Sequence, residues 1–86
     1  MIATLAQPKF GALFCSLLRE RYGQLRHAAK LLARDAGVTP RTAENWLDLE
    51  CAPRFEQAIE LMAADPSLEA AVLEMIRGRR AQREGG

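Results

Sequence analysis

The sequence predicts an all-α domain, a compact bundle of five helices, and three observations predict it. Apolar residues recur at three- and four-residue intervals from Phe10 to Tyr22. Gly37, Thr39 and Pro40 punctuate two further helical patterns. A cap-plus-proline pair, Asp65-Pro66, separates the last two. Eighty-six residues, 49% of them hydrophobic, make one small domain whose core is just large enough to fold without staples. The expected division is an N-terminal arm over residues 1–8, a helical domain over 9–78 and a flexible basic tail over 79–86.

From Pro8 onward, Phe10, Leu13, Phe14, Leu17, Leu18 and Tyr22 lie on one wide apolar face, and Gly23 ends that helix. A second helix over about residues 25–35 buries Ala28, Leu31, Leu32 and Ala36. It turns Arg26, Lys30 and Arg34 outward as an i, i+4, i+8 row. Gly37 then stands where a helix C-terminus commonly turns left-handed. Thr39 can cap the next helix, and Pro40 suits its first position because the missing N–H has no partner there.

The third helix, over about residues 40–47, divides into two faces at about 100° per residue. Ala43, Trp46 and Leu47 fall on one side; Arg41, Glu44, Asn45 and Asp48 fall nearly opposite. After Pro53 a fourth helix follows, with either Phe55, Ile59 and Met62 or Ala58 and Leu61 inward, and with Glu56 and Glu60 outward. A fifth, from residue 66 to about 77, carries Leu68, Ala71, Val72, Met75 and Ile76 on one side and stops at Gly78. Beyond it the chain is nearly without apolar residues and has too little to bury to offset its ordering entropy.

Two helices joined by a short turn at Gly37, the second exposing a narrow polar face, read as a helix-turn-helix. The segment also resembles a known family. Ala33, Gly37, Val38, Thr39, Thr42, Trp46-Leu47 and Pro53 match, in order and spacing, the pattern of the lambda-repressor-like (Cro or XRE) DNA-binding proteins. The resemblance covers about residues 25–62. Ala29 stands where that family often has a phosphate-contacting glutamine, Ala43 where it has valine or isoleucine, and Leu49 where it has a glycine. What the resemblance implies is sequence-specific binding to double-stranded DNA, as a homodimer on palindromic half-sites about one helical turn apart.

The residues assign roles within that reading. Arg41 can reach a guanine edge as a bidentate donor, Asn45 can pair with adenine, and Glu44 can accept from cytosine. Thr39 and Thr42 are candidates for phosphate or methyl contacts. Arg26, His27 and Lys30, with the amides at the start of the second helix, are candidates for phosphate clamping. Arg77, Arg79, Arg80 and Arg83 are candidate tail contacts to DNA. Val72, Met75 and Ile76 are the candidate dimer interface.

The net charge of +1 conceals three blocks. Residues 8–46 hold seven cations against three carboxylates, a net of +4; residues 47–74 hold one against seven, −6; residues 77–84 hold four against one, +3. Such asymmetry orients a molecule on a polyanion and leaves the acidic half for water or a protein partner. An adaptor that keeps the fold and binds a partner through that acidic half is therefore the alternative to a DNA reader.

Catalytic chemistry is poorly represented. His27 is the single histidine and has no cysteine or carboxylate at ligand or nucleophile spacing. Glu56 and Glu60 read as a solvated face, and no glycine-rich phosphate loop occurs. Cys15 and Cys51 lack the paired spacing of a zinc site. Cys15 sits among apolar neighbours as a small buried hydrophobe, and a cytosolic setting argues against a disulfide. No apolar run has the length of a membrane span, and the N-terminus lacks the pattern of a secretory signal. The expectation is a cytoplasmic, non-enzymatic, bacterial or phage-type transcription regulator without metal or cofactor.

Overall fold

A computed structural model describes residues 10–85. The expected arm over residues 1–8 and the terminal Gly86 lie outside the described residues. Five helices follow one another: α1 (Phe10–Tyr22), α2 (Ala28–Ala36), α3 (Pro40–Leu47), α4 (Phe55–Ala64) and α5 (Pro66–Gly85). No strand occurs among the described residues.

α1 buries Phe14, Leu18 and Tyr22 of the expected stripe, and Cys15 beside them; Leu13 and Leu17 are half-buried, and Phe10, at the start of the helix, is exposed. It stops at Gly23, whose N–H donates to the Arg19 carbonyl at 2.8 Å. A Cβ at this position would collide with that same carbonyl, so only glycine fits.

α2 begins three residues later than the sequence predicts. His27 takes a left-handed conformation (φ 58°, ψ 42°), which a right-handed helix cannot propagate through, and Ala28 becomes the first helical residue. The expected row of three cations is thereby shortened: Lys30 and Arg34 ride on α2, while Arg26 precedes it. The other end follows expectation, with Gly37 at φ 73° and the N–H groups of Gly37 and Val38 both donating to the Ala33 carbonyl at 2.8 and 3.0 Å.

α3 has the predicted bounds. Thr39 Oγ1 accepts the Thr42 N–H at 3.3 Å and Pro40 occupies the first turn. At the far end Glu50 N–H donates to the Asn45 carbonyl (2.9 Å) and Leu49 N–H to the Trp46 carbonyl (3.0 Å). This is a Schellman motif, and Leu49 holds its left-handed position at φ 62°.

The sequence leaves two inward faces open for α4, and the structure selects Ala58 and Leu61. Leu61 is fully buried, whereas Phe55 is 81% exposed and Ile59 45%. The Arg54 N–H at the start of this helix is satisfied by Gln57 Oε1 at 2.8 Å.

One residue, Asp65, joins α4 to α5. Its carboxylate accepts the N–H groups of Ser67 (3.0 Å) and Leu68 (3.3 Å), capping α5. It also takes the Arg21 Nε–H at 2.5 Å, which pins the end of α1 to the α4–α5 junction. That guanidinium, with the Ser67 and Leu68 donors, holds the Asp65 carboxyl below the usual carboxylate range despite partial burial.

α5 corrects a further expectation. Gly78 does not stop it, and the helix continues through residues 79–85 that the sequence assigns to a flexible tail. An interior glycine costs only about 1 kcal/mol relative to alanine. Flanking i, i+3 contacts support the helix here: Arg77 donates to Glu74 at 2.6 Å and Arg79 to Gln82 at 3.5 Å, while the Arg79 guanidinium sits 6.0 Å from the centre of the Phe10 ring.

The core draws from every helix. Leu18 and Cys15 of α1, Leu32 of α2, Trp46 of α3, Leu61 of α4 and Leu68 of α5 are almost wholly removed from solvent. Trp46 is the largest of them. Cys15 donates its Sγ–H to the Cys51 carbonyl at 3.3 Å, and burial, with the nearby Cys51, pushes its thiol pKa up. Both cysteines are free, Cys15 buried as expected and Cys51 exposed. No helix is long and apolar enough to cross a membrane among the described residues.

Candidate nucleic-acid interface

The polar face of α3 is built from its apolar one. Ala43 and Trp46 are buried and Leu47 is half-buried, so the helix can lie on the molecule in only one rotational setting. Residues one and two positions away, Arg41, Glu44 and Asn45, then take the outer side. Arg41 is the most open of them, its side chain 82% exposed; Glu44 is exposed and Asn45 half-buried.

Two of these groups already interact. Arg41 Nη1 lies 3.7 Å from Glu44 Oε1, an i, i+3 pair in full contact with water. Such a pair contributes at most about 0.5 kcal/mol. A polyanion therefore meets little resistance in drawing Arg41 away from it.

The two threonines have local work. Thr39 caps the helix, and its hydroxyl lies 3.1 Å from that of Thr42, either atom donating. Each hydroxyl keeps hydrogen-bonding capacity toward an incoming phosphate. Loss of Thr39 nevertheless acts first on the helix start.

The start of α2 is different from those of α3 and α5, where Thr39 and Asp65 accept backbone N–H groups. No side chain caps α2, and its first turn holds no acidic residue. Its leading amides and the exposed Arg26, His27 and Lys30 surround one helix terminus with donors and positive charge only. Arg34, at the other end of α2, pairs with the adjacent Asp35 at 3.2 Å. Asp35 in turn accepts the Tyr22 hydroxyl at 2.6 Å, and burial, with that hydrogen bond to a carboxylate, pushes the Tyr22 pKa up.

α2 and α3 pack closely on one another, and α1 backs both. The groups around α2's first turn and the outer side of α3 therefore belong to one rigid unit. The arginines of α5 do not join it: among the described residues α5 packs on α1 and α4, and its backbone does not come within 8 Å, Cα to Cα, of α2 or α3. Arg77 is paired with Glu74, while Arg79, Arg80 and Arg83 line a groove elsewhere. Of the apolar candidates on α5, Val72 and Met75 are half-buried and Ile76 is exposed, all three beside Phe10 in that same groove.

Two features of the unit escape the residue pattern. Non-glycine residues in the left-handed region bracket it, His27 before α2 and Leu49 after α3. At Leu49 the residue type argues against a tight turn, and the turn is kept by the N–H groups of Leu49 and Glu50 donating to the Trp46 and Asn45 carbonyls. His27 offers only the tendency of histidine to tolerate that conformation better than branched residues. No cluster of three or more metal-ligating side chains occurs among the described residues.

Comparison of the chain with family models, with curated proteins and with solved structures gives no match.

Proposed function

We propose that the chain binds double-stranded DNA sequence-specifically, with α2, the turn at residues 37–39 and α3 acting as a helix-turn-helix in a small transcription regulator of the bacterial or phage type. The observation that carries this reading is the outer side of α3. Arg41 and Glu44, joined only by a weak exposed pair, and the half-buried Asn45 lie on the outer side of a short helix whose rotation is set by the buried Ala43 and Trp46. A major groove admits one such helix, and these three side chains offer donors and acceptors matched to guanine, cytosine and adenine edges.

Phosphate contacts fall to the start of α2. Arg26, His27, Lys30 and the uncapped amides there hold the polyanion by charge and by N–H donation. Thr39 and Thr42 lie at the start of α3, where the turn meets the backbone of the duplex. The acidic stretch of residues 47–74, net −6, repels phosphate, and its first carboxylates, the exposed Asp48 and Glu50, follow directly on α3, so the duplex is met by the N-terminal part of that helix.

The test is a fluorescence-anisotropy titration of the chain and its Arg41→Ala, Asn45→Ala variant against random duplex DNA at two salt concentrations. Binding that falls with salt and weakens in the variant supports the reading. No binding at low salt overturns it in favour of an adaptor that engages a protein through its acidic half.

A further inference from the structure

Among the described residues, two apolar surfaces have no partner, and their charges are opposite. The first is a groove of about 610 Å³ between the start of α1 and the C-terminal half of α5. Phe10, Met75 and Ile76 form its floor, and Arg79, Arg80 and Arg83 rise beside them, offset by one carboxylate, Glu84. Because α5 runs on through Gly78, these arginines are held on a helix, and Arg79 is further placed by the Phe10 ring.

The second surface is the outer side of α4. Phe55 is 81% exposed and Ile59 45%, with the exposed Glu56 and Glu60 beside them. From Ile59 the surface runs into a shallow hollow of about 300 Å³ that ends at Glu69. Neither surface uses a residue of α3 or of the start of α2.

We propose that the chain associates head to tail, the acidic apolar side of α4 in one copy seating in the basic apolar groove of α5 in the next. Size agrees: ten residues of α4 make a rod of ~15 Å, and the groove from Val72 to Arg83 extends ~17 Å along α5 at 1.5 Å per residue. Phe55, projecting from one end of α4, is the side chain that enters the apolar floor. Glu56 and Glu60 then meet Arg80 and Arg83.

A two-fold contact through α4 opposes Glu56 and Glu60 to themselves, whereas the mixed contact sets them against Arg80 and Arg83. A mixed contact does not close on itself by two-fold symmetry. Growth with concentration and loss with salt are its signatures. This association stands independently of DNA; on a duplex it would place copies side by side.

Sedimentation velocity on the full chain tests it, from micromolar to several hundred micromolar protein at low and high salt. Two variants are used, Arg80→Glu with Arg83→Glu in the groove and Phe55→Ser with Glu56→Gln on α4. All four side chains are exposed, and circular dichroism checks that the helices persist. The expected result is salt-sensitive growth of the unmodified chain beyond a dimer, and weakening of about tenfold or more in each variant alone. An equimolar mixture of the two variants gives a one-to-one dimer that grows no further, because one brings an intact α4 and the other an intact groove. A chain that stays monomeric throughout overturns the proposal. So does a mixture that stays monomeric, or an α4 variant that dimerises as well as the unmodified chain, which would mark a groove-to-groove contact.

Discussion

Asp65 combines two functions in one carboxylate, the cap of α5 and the pair with Arg21, and its replacement has a size that can be worked out. In Asp65→Ala the start of α5 loses the acceptor for Ser67 and Leu68 N–H, a cap worth about 1 kcal/mol. Arg21 loses its partner at 2.5 Å. Both side chains of that pair keep about a quarter of their surface in water (29% and 24%), so screening limits the pair to about 0.5–1 kcal/mol. Together the loss is about 1.5–2 kcal/mol, which for a domain of this size lowers the Tm by roughly 6–16 °C. Asp65→Asn keeps an acceptor for the cap and loses the ion pair, so it should fall between the two. The pH dependence supplies an independent check. The folded carboxyl has a lowered pKa, so its contribution is fully present above the unfolded value of about 3.9 and is lost as pH falls through the folded value. The stability gap between the unmodified chain and Asp65→Asn is therefore constant from neutral pH to about 5 and shrinks below about 4. Urea unfolding followed by circular dichroism across that range measures it. A gap that widens on acidification, or an Asp65→Ala chain as stable as the original, refutes the argument.

Leu49 tests the strained turn: with the side chain removed in both, Leu49→Gly should be about 0.5–1 kcal/mol more stable than Leu49→Ala by urea melts, the reverse of the order in a helix interior, and equal stabilities would contradict the left-handed assignment. Glu44→Gln releases Arg41 and removes a carboxylate from the side proposed to face phosphate, so affinity for random duplex should rise; on a selected site the same change should cost about 1–3 kcal/mol of discrimination if Glu44 meets a cytosine, and a random-duplex affinity that falls instead would take Glu44 off the interface.

What the sequence discloses here depends on whether a signal is local. Gly37, Thr39 and Pro40 act through their own backbone and their own side chains, and the turn and the bounds of α3 follow from them. The apolar stripe of α1 is equally local, a matter of spacing. α4 is the intermediate case: its periodicity allows two inward faces, and the choice is made by Leu61 joining the core shared by all five helices rather than by anything in the helix itself. The start of α2 and the end of α5 were misread for opposite reasons. A single left-handed residue, His27, cut three positions from a helix whose propensities are good. Side-chain pairs one turn apart carried another helix across a glycine that, taken alone, signals a stop.

The same distinction governs the candidate site. Which residues of α3 face outward was legible, because burial of Ala43 and Trp46 leaves no other arrangement. Which charges stand together was not. Net charge along the chain groups the arginines near residue 80 with the basic N-terminal half as if both served one polyanion. In the folded chain the backbone of α5 stays more than 8 Å, Cα to Cα, from α2 and α3, and its arginines share a groove with Phe10 and Ile76 instead. A cation beside an apolar floor selects a different partner from a cation beside uncapped amides: the first favours an amphipathic acidic surface, the second a phosphate. Under the two proposals the basic regions take separate tasks, the one around α2 and α3 facing phosphate and the one on α5 facing a second copy of the chain.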